Sequence, residues 1–186
     1  MLHVPVRELR PVNREPIRVP LPDRLVHLQF RRFAGCPVCN LHLRTIVQRH
    51  DELERAGVDE VVVFHSPADE LRQHAAGLPF AVVADPGKEL YREFGVTSGR
   101  GALMNSRVWP VIALGVFRSA IAVARNRERP PSRSQPGGRL GLPADFLIAP
   151  DGTVVAEKHG EHAYDQWSVD EILAHAKTGA TPADPR

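Results

Sequence analysis

Cysteine is scarce in this sequence: its 186 residues include only two, Cys36 and Cys39. Two cysteines are too few for the disulfide framework of a small secreted domain. The chain is also long enough to bury roughly two-thirds of its unfolded surface, so it needs no cross-links to fold. In a reducing compartment, a pair with this spacing is typical of redox catalysis or of metal binding.

The sequence also lacks a large excess of charge of either sign. Its formal net charge is +2 at pH 7, which argues against nucleic-acid binding as the main role. Residues 125–138 are rich in arginine but include no aromatic residue to stack on bases, so we interpret them as a solvated loop. Residues 1–18 contain no apolar core of the signal-peptide type, and we expect a cytoplasmic chain.

One apolar run has to be weighed as a membrane segment. Residues 108–124 are apolar apart from Arg118 and Ser119. A run of this length is at the short limit for crossing a bilayer, and a charge within it is costly there. We therefore predict a buried or interface helix, with no membrane contact.

The pattern up to residue 95 alternates between strands and helices. Prolines predict an extended arm before residue 24. Periodicity, Gly and Pro signals and a Ser66 N-cap then predict strands at 25–33, 58–65 and 80–84 and helices at 37–56, 66–77 and 88–94. This order indicates parallel strands with helices on the faces of the sheet.

The alternation ends at residue 97. We expect an insertion at 97–139, with the apolar helix followed by a mobile loop. A hairpin then follows at 145–158, and Ser168 and Glu171 form a capping box for a helix that ends near Lys177. The sequence predicts an α/β thioredoxin-like fold, a mixed sheet flanked by helices with a C-terminal β-hairpin and a helical insertion. Its predicted parts are an arm (1–24), a domain (25–177) and a flexible tail (178–186).

Cys36 and Cys39 lie where the first long strand meets the first long helix. Pro37 suits the first helical position and disfavours helical geometry for the residue before it, so Cys36 is a natural N-cap. The free N–H groups of Val38 and Cys39 would then favour a Cys36 thiolate. Cys39 follows one turn later on the same face, at a distance that suits a disulfide. We assign Cys36 as the attacking thiolate and Cys39 as the more buried, protonated resolving thiol.

Arginines could strengthen this site. Arg31, Arg32 and Arg44 lie close to the pair in sequence, but the sequence does not indicate which of them points inward. We include Pro37, Val38 and Arg44 among the supporting residues.

Two other readings of the pair stay open. Zinc needs four ligands, and although His42, His65 and His74 are available, none has ligand spacing; we predict no metal and no cofactor. Haem attachment requires histidine directly after the second cysteine, where Asn40 stands. The pair could also be two inert cysteines.

Four stretches carry a resemblance to a known family. They are FRRFAGCPVCNLHLR (30–44), VVVFHSPA (61–68), LPFAVVADPGKELYREFGV (78–96) and LPADFLIAPDGTVV (142–155). Together the chain resembles peroxiredoxin-like proteins of the AhpC/TSA superfamily, in the branch that carries a CxxC motif. The resemblance implies a thioredoxin fold, thiol-dependent redox activity, Cys36 as the peroxide-attacking cysteine, and Pro143 as a cis-proline facing the dithiol.

One departure from the family pattern affects the expected substrate. Peroxiredoxins have Pro and then Thr or Ser at seven and three residues before the attacking cysteine, where this chain has Gln29 and Phe33. The hydroxyl that helps to hold peroxide is absent from its usual place, and Phe33 could shield the dithiol instead. Arg139 or Arg44 could support the thiolate. Peroxide reduction is therefore less strongly indicated than thiol–disulfide exchange.

These observations lead to two hypotheses. The first is a thiol-based antioxidant oxidoreductase that reduces peroxides or disulfides through Cys36 and Cys39. It would be reset by an external thiol, either a thioredoxin-like protein or a small thiol, and it could form a homodimer. The second is a non-catalytic interaction protein that uses the helix at 108–124 as a partner or dimer surface.

Overall fold

The computed structural model describes residues 2–96, 109–125, 138 and 141–179. A five-stranded mixed sheet has the strand order β5-β4-β3-β6-β7. The strands are β3 (Leu25–Arg31), β4 (Val58–Phe64), β5 (Ala81–Ala84), β6 (Ala144–Ile148) and β7 (Val154–His159). β3, β4 and β5 are parallel, whereas β6 is antiparallel to both β3 and β7. This confirms the predicted mixed sheet and hairpin.

The helices follow the predicted positions with some changes in length. They are α1 (Pro37–Gln48), α2 (His50–Arg55), α3 (Ala68–Ala75), α4 (Glu89–Glu93), α5 (Trp109–Ala124) and α6 (Val169–Gly179). The single helix predicted at 37–56 is in fact two. Arg49 separates them with a non-helical φ of −118°, and its guanidinium bonds Glu52 at 2.9 and 2.7 Å.

Two helix starts can be compared with prediction. The N-cap of α3 is Pro67, so the Ser66 assignment was wrong; the Ser66 Oγ instead accepts the N–H of Ala34 at 2.9 Å. The capping box of α6 is confirmed, since the Ser168 N–H donates to Glu171 at 2.7 Å and the Glu171 N–H donates to the Ser168 Oγ at 3.3 Å.

The N-terminal arm is more ordered than predicted. It forms a two-stranded antiparallel hairpin of β1 (Arg7–Leu9) and β2 (Ile17–Val19). Single bridges join His3 to Thr153 and Pro11 to Val83. The arm thus pairs with the edge strand β5, which would otherwise present unpaired backbone groups. At the other end of the chain, residues 180–186 of the predicted tail lie outside the described residues, whereas 178 and 179 belong to α6.

The two faces of the sheet have separate cores. α1, α2, α3 and α6 cover one face, while the N-terminal hairpin and α4 cover the other. On β3, the even-numbered residues Val26, Leu28 and Phe30 belong to the second core. Its odd-numbered residues point towards α1, which carries the two cysteines.

Candidate redox site

A tight turn leads from β3 into the cysteine motif. The N–H of Cys36 donates to the Phe33 carbonyl at 3.1 Å, and Gly35 between them has a φ of 71°, which only glycine adopts without strain. Pro37 is the first residue of α1 and Cys36 is its N-cap, as predicted. However, the Cys36 side chain makes no capping hydrogen bond, and the Cys39 N–H lowers the pKa of Cys36 by less than burial and the Cys39 side chain raise it.

Both cysteines are free thiols, and both are buried, with 1% of Cys36 and 2% of Cys39 exposed. The two side chains interact, and each shifts the pKa of the other. Two thiols one helical turn apart are at a separation that suits an internal disulfide. In the described part of the chain, no three His, Cys, Asp or Glu residues are grouped so that they could hold a metal ion.

The two thiols ionise as a coupled pair. Burial and the hydrogen bond with Cys39 raise the pKa of Cys36 well above its ordinary value. Burial opposes ionisation of Cys39 too, but the hydrogen bond from Cys36 and the positive charge of Arg32 lower the pKa of Cys39 to about 6. In the reduced state the two thiols share one ionisation, and the assignment of Cys36 as the attacking thiolate and Cys39 as the protonated resolving thiol stays a prediction.

Two arginines, both buried, supply positive charge at the pair. Arg31 is completely buried and Arg32 is 7% exposed, and both lower the pKa of Cys39. The guanidinium of Arg32 lies 5.4 Å from the ring centre of Phe33, which fixes it by a cation–π contact. Arg44, the arginine that we included among the supporting residues, has an exposed side chain. Its role stays a prediction, and Arg139 lies outside the described residues.

Helix α5 packs over the start of α1. A Cβ atom at Gly115 would lie 3.2 Å from the carbonyl oxygen of Pro37 and 3.5 Å from the nitrogen of Val38. Only glycine allows the two backbones to approach this closely. The expected apolar helix at 108–124 is thus present as α5, and it contacts the segment that carries the dithiol.

A half-open groove of about 420 Å³ runs beside the motif between α1 and α3. Its lining includes Gly35, Asn40 and Arg44 near the cysteines and an apolar floor with Leu43 and Leu71. The groove gives the site a surface on which a substrate could bind next to the turn that precedes Cys36.

Pro143 opens β6 but differs from the expected cis-proline. In the described residues the only cis peptide bond is Val19–Pro20, so the bond before Pro143 is trans. Pro143 is buried, and its carbonyl accepts the N–H of Gly160 at 2.9 Å. Its predicted role as a cis-proline was wrong, because the chain here enters the sheet through an ordinary strand start.

Beneath α1 lies a buried polar cluster that the sequence analysis missed. His27 Nδ1 lies 2.8 Å from Glu60 Oε2, and His27 Nε2 lies 3.1 Å from Asp145 Oδ1. Arg31 Nη2 donates to Asp145 Oδ1 at 2.7 Å and to Gln29 Oε1 at 2.6 Å. The available signal was the alternation of His27, Gln29 and Arg31 along β3, which puts polar side chains on the face that α1 covers.

The loop before α6 connects this cluster to α1. The Trp167 N–H donates to Asp145 Oδ2 at 3.2 Å, and its carbonyl oxygen lies 2.8 Å from His42 Nε2. Burial and the charge of Arg31 lower the pKa of His42 to about 3. His42 is therefore a neutral packing residue in α1 and has the role of fixing the helix on the loop.

A mixed sheet with this strand order, with a dithiol at the start of the helix that follows its central strand, defines a thioredoxin-like fold. The family of the chain follows from sequence: a model of the AhpC/TSA antioxidant enzymes matches residues 45–162, which is more than half of the chain. The chain belongs to this family. The match begins after Cys39, so membership by itself does not assign the two cysteines.

Solved structures agree with this assignment of the fold. The peroxidoxin BcpB from Mycobacterium tuberculosis is similar at a TM-score of 0.65 and 18% identity, over 97% of each chain. Peroxiredoxin Q from Xanthomonas campestris gives a TM-score of 0.61 and 16% identity over 94% of this chain and 92% of that one. A candidate thiol:disulfide interchange protein, DsbE from Chlorobium tepidum, gives 0.56 and 17% over 94% and 95%. No curated protein sequence matches the chain.

In the part of the chain that the structure describes, no helix is long and apolar enough to span a bilayer.

Proposed function

We propose that this protein is a thiol-dependent oxidoreductase that reduces peroxides or disulfides through a Cys36–Cys39 dithiol–disulfide cycle. The observation that carries the proposal is the pair of buried, interacting thiols one helical turn apart beside the buried cations Arg31 and Arg32. A lowered pKa leaves a thiolate present near neutral pH, and the thiolate is the reactive form of cysteine.

The proposed cycle has three balanced steps. In the first, a thiolate of the pair attacks a peroxide oxygen, which gives a sulfenic acid and an alkoxide that takes up a proton. In the second, the other thiol attacks the sulfenic sulfur and releases water, which leaves the Cys36–Cys39 disulfide. In the third, two external thiols reduce this disulfide and become a disulfide themselves. With a disulfide substrate, the first step forms a mixed disulfide and releases a thiol.

We keep Cys36 as the attacking residue in this proposal because it lies at the end of the loop, ahead of the helix. The two thiols share one ionisation, which the charge of Arg32 favours on either sulfur. Transfer of one proton from the Cys36 sulfur to the Cys39 sulfur leaves the negative charge on Cys36. The cycle needs an external thiol donor, which fits a reducing, cytoplasmic compartment. A thioredoxin-like protein or a small thiol would reduce the Cys36–Cys39 disulfide.

Single-turnover trapping tests the cycle and the order of the cysteines. We expect Cys39→Ser to form a trapped sulfenic acid or mixed disulfide on Cys36, and Cys36→Ser to form neither. The reverse result would keep the cycle and exchange the two roles. If both variants react with peroxide and with a model disulfide as fast as the wild type, the pair is not the reactive centre.

Rate constants for oxidation of the dithiol distinguish peroxide substrates from disulfide substrates. We propose disulfide exchange as the faster reaction, because Gln29 and Phe33 occupy the positions where peroxiredoxins carry Pro and Thr or Ser. Stopped-flow fluorescence with hydrogen peroxide and with a model disulfide gives both rate constants. A peroxide rate constant much larger than the disulfide rate constant would reverse this preference.

A second candidate function rests on the outer face of α5. Trp109, Val116 and Phe117 are 57%, 50% and 64% exposed, which is unusual for large apolar side chains on one helix. A non-catalytic partner or homodimer role would use this face. It predicts that Phe117→Glu changes the mass measured by light scattering, while replacement of both cysteines by serine leaves the function intact.

A further inference from the structure

The buried cluster beneath α1 is a chain of four ionisable side chains that spans three adjacent strands. His27 and Arg31 lie on β3, Glu60 on β4 and Asp145 on β6. Each is at most 3% exposed. Burial of isolated charges is costly, so buried ions are normally paired. Here each cation contacts a carboxylate, and Asp145 Oδ1 contacts both cations.

The charges of this cluster balance when His27 is protonated. Two cations then face two carboxylates, and their sum is zero. Burial acts against a charged imidazole, but the negative charge of Glu60 and the hydrogen bonds to Asp145 and Glu60 raise the pKa of His27 to about 9. His27 therefore keeps its proton at neutral pH, and the cluster is electrically neutral beneath the dithiol.

The cluster borders the hydrophobic core that contains Cys39. Cys39 and Trp167 belong to the same hydrophobic core. The ring of Trp167 lies 5.7 Å from that of His27, and its N–H bonds Asp145. The charge of Arg31 acts on Cys39. Since there is little water in such a core, a change of one charge here is weakly screened.

We propose that the net charge of this cluster controls how readily the cysteine pair ionises. Arg31 is the positioning residue that presents positive charge to Cys39, and Asp145 holds Arg31 in place. His27 and Glu60 complete the balance. The proposal rests on the proposed function only in treating the pair as the redox centre.

The groups that face the central histidine come from every element packed on it. They are Glu60 from β4, Asp145 from β6, Arg31 and Gln29 from β3, His42 from α1, and His175 of α6 through Trp167. Of these, His42 is neutral above pH 3 because its pKa is lowered to about 3. The balance at neutral pH is therefore set by the four charged members of the cluster and by the thiolate.

A series of charge variants tests the proposal, with thiolate absorbance at 240 nm measured against pH. His27→Gln makes the cluster negative, so the pH at which the first thiolate forms should rise by about one unit, the size expected for one charge roughly 12 Å away in an effective dielectric of about 20. Asp145→Asn makes it positive and should lower that pH. The double variant His27→Gln/Glu60→Gln restores neutrality and should return the thiolate to its wild-type pH.

The double variant separates charge from structural damage. A structural role predicts that removal of two buried groups is worse than removal of one, whereas the charge role predicts recovery. Leu28→Ala is the matched control, because Leu28 lies on the same strand but in the opposite core. It should lower stability without moving the thiolate titration. If His27→Gln does not fold, Asp145→Asn and the double variant still give the predicted order.

Thiolate formation and turnover are read separately. If the thiolate titration follows the net charge of the cluster but the protein shows no turnover, the proposed role of the cluster is supported and the proposed function is contradicted. If the protein turns over but its thiolate titration is the same in all charge variants, or shifts in one direction in all of them, the proposed role of the cluster is wrong. The proposed redox function is then unaffected.

Discussion

The backbone of Gly115 in α5 lies against the backbone of Pro37 in α1, so closely that a methyl group on Gly115 would lie 3.2 Å from the Pro37 carbonyl oxygen. This contact joins the insertion to one of the two residues between the cysteines. Both thiols are buried in a protein whose proposed function requires them to react. We expect access to the pair to depend on how tightly α5 is held.

Gly115→Ala should loosen this contact. The added methyl group would lie 3.2 Å from the Pro37 carbonyl oxygen, so α5 or the start of α1 has to give by a few tenths of an ångström. We expect this displacement to make the thiols more accessible. We expect alkylation by iodoacetamide to be several-fold faster than in the wild type. Ala120→Gly on the exposed side of α5 is the control for helix propensity. Alanine favours a helix over glycine by about 1 kcal/mol, so slower alkylation in Gly115→Ala would show that propensity outweighs the clash.

The protonation of His27 should give the fold a distinctive dependence on alkaline pH. The pKa of His27 is raised from 6.5 to about 9 in the folded protein. The stabilisation is thus complete below pH 6.5 and is lost as pH rises through 9. The free energy of unfolding in urea should fall between pH 7 and pH 10. In His27→Gln this fall should be largely absent, and an unchanged slope would show that another group titrates.

Tyr91 ties α4 to the two central parallel strands. Its hydroxyl donates to the carbonyl of Val63 at 3.0 Å and also contacts the carbonyl of Arg31. Tyr91→Phe removes a buried donor whose single proton one of the two carbonyls accepts at a time. We expect a loss of roughly 1–3 kcal/mol in urea denaturation. Tyr164→Phe, at a half-buried position, is the control, and equal losses in the two variants would contradict the role of the hydroxyl.

The capping box of α6 should contribute measurably to stability. Ser168→Ala removes the acceptor for the Glu171 N–H and should cost about 1 kcal/mol. Thr178→Ala is the matched control at the other end of the helix, where its hydroxyl donates to the His175 carbonyl at 2.8 Å. A smaller effect at residue 168 than at residue 178 would mean that packing, and not the cap, holds this helix.

Much of the fold could be predicted because local signals coincide with tertiary structure. The strand at 25–31, Pro37 as the first residue of α1 and the Ser168 capping box each follow from propensities and spacing. The break at Arg49 could not be predicted, since it accompanies ion pairs to residues as distant as Asp170. The hairpin in the arm depends likewise on pairing between segments.

The candidate site was only partly predictable for a related reason. The spacing of Cys36 and Cys39 indicates a dithiol, but which thiol carries charge depends on Arg31 and Arg32, and the sequence does not show which arginines point inward. The balance between His27, Glu60 and Asp145 joins three strands that are far apart in the chain. Such a cluster becomes visible only when the strand register is known.

The central claim is that Cys36 and Cys39 interconvert between a dithiol and an internal disulfide. The most direct test is to equilibrate the protein in mixtures of reduced and oxidised dithiothreitol or glutathione, and to count free thiols by alkylation and mass spectrometry. We predict a single two-electron transition in which both thiols disappear together, between about −270 and −120 mV, the range of thioredoxin-type and DsbA-type pairs. Thiols that remain free throughout, or that form disulfides only between molecules, would contradict the account.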